Sequence, residues 1–160
     1  MDAFDVTFTL TEVTDLGVCH GQSVFRTDYT MDLDPAGAAV CQLVPPDKIR
    51  VFRPGVILRF SVVRFRGSAY LPIGIAFSQV ITPARSRAVP CETGPVRTQV
   101  SPFGNLIISG GVLEITDQLP PARKRSSANP TFTEYRFSLL LQRGSDGALG
   151  LIDPVVENEN

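Results

Sequence analysis

Phe4-Asp5-Val6-Thr7-Phe8-Thr9-Leu10 is the stretch that decides the fold class of this chain. Large apolar side chains take every second position, and polar ones fill the positions between. Successive side chains on an extended strand point to opposite faces, so the stretch reads as a strand with one buried and one wetted face. The period is two, not the 3.6 of a helix.

The same period recurs outward along the chain. From Gln22 to Met31, Phe25, Thr27, Tyr29 and Met31 share one phase, with Arg26, Asp28 and Thr30 opposite. Ala38 to Val44 is a short apolar run that suits a more buried strand, and Ile49 and Val51 alternate with Lys48 and Arg50. Between Val56 and Arg66, Leu58, Phe60 and Val62 share a phase, and Val63 and Phe65 take the other. A period of two shifts by one only through an extra residue, so Val62-Val63 is a candidate β-bulge. Further strands read at Leu71–Gln79, Leu106–Ile115, Glu134–Gln142 and Ala148–Ile152. Gly144-Ser145-Asp146-Gly147 reads as a hairpin loop between the last two. No window has the pattern of an amphipathic helix, and thirteen Gly and thirteen Pro punctuate the segments. Thr82–Pro102 and Asp117–Pro130 read as two long connections. The closing Glu157-Asn158-Glu159-Asn160 reads as a polar tail that frays unless something holds it.

These signals predict an all-β chain: a single antiparallel β-sandwich domain over residues 1–160, jelly-roll-like. The length of 160 residues suits one core, and 43% hydrophobic with 19% charged residues excludes disorder. No run approaches the roughly 18 apolar residues of a membrane helix. The acidic start Met1-Asp2-Ala3-Phe4-Asp5 lacks the features of a signal peptide, so a cytoplasmic location is expected. Cys19, Cys41 and Cys91 have no paired spacing, which suits free, buried thiols in a reducing compartment.

The net charge of −1 conceals a segregation. Residues 1–47 hold one basic residue, Arg26, against eight acidic ones; residues 48–113 hold nine basic against one acidic, Glu92; residues 114–160 hold five against seven. The acidic and basic segments can pair within one molecule or between copies. Thirteen of the fifteen basic residues are Arg, whose planar fork suits bidentate carboxylate pairs.

Asp28, Asp32 and Asp34 stand close together before Pro35 and Gly37, and hard carboxylate oxygens are what Ca²⁺ takes. The spacing of an EF-hand loop is absent, and the alternative is a turn whose carboxylates face Arg-rich strands. Arg59, Arg64 and Arg66, interleaved with Phe60 and Phe65, are the residue types of a single-strand nucleic-acid groove. Their phase separates the rings from the guanidinium groups, however, and a pI of about 5.8 argues against nucleic acid. Arg123-Lys124-Arg125 is too short to be more than a solvated loop, a phosphate contact or an interface contact. Cys19-His20 is the only Cys/His pair; neighbours on a strand point to opposite faces and do not easily form a dyad, whereas in a turn they could. No nucleophile elbow, Walker loop, zinc-protease helix or dinucleotide fingerprint is present, so a non-enzymatic protein without a resident cofactor is expected.

Tyr135-Arg136-Phe137-Ser138-Leu139-Leu140-Leu141 runs on to Asp146-Gly147-Ala148-Leu149-Gly150-Leu151-Ile152-Asp153-Pro154-Val155-Val156. This resembles the ending of the AidA/PixA-type inclusion-body proteins and the related DP-EP proteins. Pro54-Gly55-Val56-Ile57-Leu58-Arg59-Phe60 is similar to that family's Gly-Asp-x-Ile-x-aromatic strand start, with Val56 where the acid would stand. The resemblance implies a β-sandwich that self-associates and, in some members, binds calcium and sugar. No ligand residue carries over, because no matching ligand motif is present. The expected function is therefore a self-associating structural or interaction protein, a homo-oligomer. The alternatives are a Ca²⁺-dependent, lectin-like carbohydrate-binding module and, third, a weak nucleic-acid binder.

Overall fold

The computed structural model describes residues 2–79, 102–118 and 132–159, without the side chains of residues 78 and 79. Eleven strands run along them: β1 (Ala3–Cys19), β2 (Gln22–Asp34), β3 (Cys41–Val44), β4 (Lys48–Val51), β5 (Val56–Val62), β6 (Tyr70–Gln79), β7 (Phe103–Ser109), β8 (Val112–Asp117), β9 (Phe132–Arg143), β10 (Leu149–Ile152) and β11 (Val155–Glu159). Among the described residues there is no helix, so none is long and apolar enough to cross a membrane.

The strands form one sheet in the order β3-β4-β11-β9-β10-β2-β1-β5-β8-β7, with β6 on the other edge of β9. The expectation of antiparallel pairing throughout is corrected here. β1 runs parallel to β5, β10 to β2 and β11 to β4, so the sheet is mixed. Parallel neighbours need a long return connection, which a pattern of short alternating strands does not reveal.

The sheet doubles back around one apolar core. Phe4, Val6, Phe8 and Leu10 of β1 line it with Leu58 and Phe60 of β5 and Leu113 and Ile115 of β8. Phe137, Leu139 and Leu141 of β9 and Ile49 and Val51 of β4 enter the same cluster. Phe60 and Phe137 bring the two sides into contact, with ring centroids 5.2 Å apart, although their strands are not neighbours in the sheet. The alternation in Phe4–Leu10 thus does what its period implies: every apolar residue in it is buried.

Three hairpins turn on two residues with positive φ: His20-Gly21 (49° and 79°), Arg66-Gly67 (48° and 79°) and Gly110-Gly111 (59° and 81°). That conformation matches the twist of the flanking strands and favours Gly at the second position. It also explains several departures from the sequence reading. Val62-Val63 is not a bulge: β5 ends at Val62, and the change of phase leads into the Arg66-Gly67 turn, closed by the Phe65–Ser68 bridge. Leu106–Ile115 is two strands, split at Gly110-Gly111. Cys19 precedes the turn His and is exposed, not buried, whereas Cys41 is buried; Cys91 lies outside the described residues.

The polar ending is not a frayed tail. Val155–Glu159 is β11, inserted between β4 and β9, with Glu157 and Asn158 buried. The Gly144–Gly147 loop joins β9 to β10 as expected, with the Gly147 amide donating to the Arg143 carbonyl at 2.8 Å.

Gly150 on β10 lies under the ring of the buried Phe25, and a Cβ built there would stand inside van der Waals distance of three carbons of that ring. Gly150→Ala is therefore expected to lower stability by about 1–3 kcal/mol through overpacking. Urea denaturation monitored by far-ultraviolet circular dichroism checks this, and an unchanged midpoint would refute the close contact.

Candidate functional site

The most buried charge cluster lies on the outer face of β4, β11 and β9. Glu157 and Glu134 are directly opposite each other in the register. Like charges so placed repel unless a cation stands between them. Lys48 is that cation: its Nζ lies 2.7 Å from Oε1 of both carboxylates, and Arg50 Nε donates to Glu157 Oε2 at 2.8 Å. Arg50 also lies over the Phe132 ring, 4.3 Å from its centroid. Burial works to raise the Glu157 carboxyl, but the bonds from Lys48 and Arg50 outweigh it and hold it below the ordinary value. The bonds to Glu134 and Glu157 raise Lys48 in turn.

The next residue on β11 reaches inward. Asn158 Nδ2 donates to Asp117 Oδ1 at 3.0 Å, and both side chains are buried. This bond links β11 to the end of β8 across the core. Burial first, and then the nearby Asp117 carboxylate, pushes the Cys41 thiol up to about 12, which keeps it in its unreactive protonated form. The same two causes raise Tyr135.

A cleft of about 310 Å³ lies beside the Arg66-Gly67 turn, lined in part by Tyr70, Ser68, Ser145 and Val13. Arg143 stands at its centre. Its Nε and Nη2 donate to the two oxygens of Asp146 at 2.9 and 2.8 Å, and Nη2 lies 2.9 Å from Asp15 Oδ1. Asp146 is pulled down to about 2, first by Arg143 and then by the Ala148 amide. Asp146 and the hydroxyl of Tyr70 raise Arg143, with a further contribution from Asp15. Arg66 also lines the cleft, so two guanidinium groups meet the carboxylates of Asp15 and Asp146 and the cleft is polar without excess charge.

The residues singled out from sequence do not converge on one point. Asp28, Asp32 and Asp34 are exposed on the outer face of β2, at intervals of four and two residues along the strand. Residues two apart on a strand are separated by roughly 7 Å. Among the described residues, no three His, Cys, Asp or Glu side chains gather closely enough to hold a metal ion. Register instead sets Asp34 opposite Asp5 and Asp28 opposite Glu12, which makes this face acidic. Arg59, on the neighbouring β5, answers part of that charge: its Nε lies 2.8 Å from Asp5 Oδ1, an ion pair rather than an aligned hydrogen bond. Arg64 donates to the Gly67 carbonyl at 2.7 Å, and Arg66 lies 5.1 Å from the centroid of Phe65. Arg64 and Arg66 therefore share a hairpin tip, apart from Arg59. Arg123, Lys124 and Arg125 lie outside the described residues.

Sequence reasoning missed Glu157, Asn158, Asp117 and Arg143, because each is defined by strands distant in sequence. It also missed the character of β7, which ends the strand order and, among the described residues, pairs with β8 alone. Leu106, Ile107 and Ile108 there are 52%, 54% and 47% exposed. Their run was legible as apolar, but apolar runs ordinarily read as buried. No protein-family model matches this chain, and no curated protein matches it.

Lys48→Met is expected to lower stability at pH 7 by about 1–3 kcal/mol, because it leaves the two opposed carboxylates without their shared donor. Glu157 is depressed in the folded state, so its contribution is present above the ordinary value of 4.5 and lost as pH falls through the folded value. The deficit of the variant should therefore shrink on acidification. Urea titrations at about pH 7 and about pH 3.5 measure it; a deficit independent of pH would contradict the assigned pairing.

Proposed function

We propose that this chain is a non-enzymatic, self-associating structural or interaction protein that works as a homo-oligomer. The observation that carries this reading is the edge strand β7, with Leu106, Ile107 and Ile108 all about half exposed. Residues 103–113 contain no charge and no proline. Sheets that remain monomeric ordinarily blunt such an edge with Lys, Pro or an inward charge. The ending that resembles the inclusion-body proteins agrees with this reading. Asp153-Pro154 in that ending separates β10 from β11, with Asp153 accepting from the Ser138 hydroxyl at 2.6 Å. The finer reading of the fold, a jelly-roll-like sandwich, is supported by the contact of the Phe60 and Phe137 rings, whose strands are not neighbours in the sheet.

Charge segregation contributes less than its size in sequence suggests. Asp5–Arg59 and the Lys48–Glu157–Arg50 group take up opposite charges within the molecule. Exposed pairs such as Asp5–Arg59 contribute only about 0–1 kcal/mol. An assembly held by an apolar edge should therefore survive salt. Light scattering coupled to size exclusion, at about 50 mM and about 500 mM salt, spans an about three-fold change in screening length. The expected result is an oligomer of the same mass at both. A monomer at both salts would end this reading, and an oligomer that dissociates at high salt would shift it to the charged faces.

The cleft at Arg143 favours a second reading, a lectin-like carbohydrate-binding module. Its hydroxyls, paired charges and apolar wall at Val13 are groups that a neutral polyhydroxylated ligand uses. Titration of simple sugars against nitrogen-15 amide spectra should then move the amides of Val13, Ser68, Ser145 and Asp146 together. Unmoved spectra at saturating sugar would dismiss it.

A further inference from the structure

We infer that two copies of this chain join through β7 itself, paired antiparallel about a two-fold axis that runs midway between Ile107 and its own copy. The inference rests on the self-association proposed above and names its contact.

The edge defines the class of partner. β7 uses the hydrogen-bonding groups of one side on β8, and no strand among the described residues takes the other side. A row of backbone donors and acceptors along a free edge is matched by another strand. The side chains then select which strand. A charged partner strand would place its charges against three aliphatic residues, whereas a second copy of β7 is neutral from 103 to 113.

Register follows from the pleat. Residues directly opposite in an antiparallel pair share a face, and a two-fold axis normal to the sheet maps each face onto itself. The axis must then run midway between a residue and its own copy. Centred on Ile107, it sets Ile107 against its own copy on the outer face. On the other face it sets Leu106 against Ile108 of the second copy, and Ile108 against Leu106. All three exposed side chains thereby meet aliphatic partners. Centred on Ile108, the pairing sets Ile107 against Ser109 and Leu106 against Gly110, which leaves the apolar surface half matched. The bulge at Asn105, with φ 54° and a register break between Gly104 and Ile107, bends the strand before Leu106 and limits the flat edge to the residues used.

Electrostatics allow this pairing. Glu114 is opposite Ile107 on β8, and Arg59 on β5 is opposite Glu114, so each carboxylate has a cation in register on its far side. Two β7 strands lie between the Glu114 side chains of the two copies, three inter-strand steps of roughly 4.8 Å in all.

The test is molar mass by light scattering over a wide concentration range, on the full chain and two variants. Ile107→Lys puts two ammonium groups at the axis. It should reduce the mass from that of two chains to that of one, with unchanged circular dichroism. The double variant Leu106→Glu/Ile108→Lys sets a carboxylate opposite an amine twice across the axis, and it should remain dimeric at low salt and dissociate at high salt. Either single change of that pair, made alone, should weaken the dimer at least ten-fold. An oligomeric full chain whose mass Ile107→Lys leaves unaltered would overturn the β7 contact while self-association stood. A full chain that is monomeric throughout would overturn both. Should Ile107→Lys fail to fold, the double variant decides: a monomer at low salt, with intact circular dichroism, rejects this register.

Discussion

Everything in this molecule depends on how β9 divides one of its edges. Along its first half that edge carries β11, along its second half β10, and the break falls at Asp153-Pro154. Pro154 has no amide hydrogen to give to a ladder, so a strand interrupted there can change neighbours. β10 continues the sheet through β2 to β1, and β11 continues it through β4 to β3. One strand edge therefore ties together both arms of the sheet, and the doubled core of Phe8, Phe60 and Phe137 follows from that closure.

That constraint explains why a polar pentapeptide became an internal strand. Val156 supplies the core contact, Asn158 bonds Asp117 across the core, and Glu157 faces outward under Lys48 and Arg50. A buried carboxylate costs several kcal/mol unless paired and hydrogen-bonded. β11 meets that requirement with charge drawn from the basic middle of the chain. The segregation visible along the sequence is in this part of the molecule a folding device: acidic strands at either end of the chain close on basic strands from its centre.

What the fold leaves unused is at the margins. The acidic outer face of β1 and β2 keeps Asp28, Asp32 and Asp34 in solvent, spread along a strand rather than gathered around a point. At the far end of the strand order, β7 has no second neighbouring strand among the described residues, and three of its aliphatic side chains are about half exposed. In the dimer proposed above, the first feature would set like charge between broad faces and the second would supply the neutral line of contact.

Local pattern alone determined the all-β class, the buried phase of Phe4–Leu10, the inward Phe25, Tyr29 and Met31 of β2, and the Gly144–Gly147 hairpin. Each depends on alternation or turn chemistry within about ten residues, which a single stretch of sequence contains. The parallel neighbours, the burial of Glu157 and Asn158 and the neutralised Arg143 were decided only by the tertiary structure. So were the turn that replaced the expected bulge at Val62-Val63 and the exposed edge of β7. In each case the deciding partner comes from elsewhere in the chain: Lys48 for Glu157, Asp15 for Arg143, Asp117 for Asn158. An alternating strand shows which of its faces is apolar, but not which strands will flank it, because its neighbours come from elsewhere in the chain.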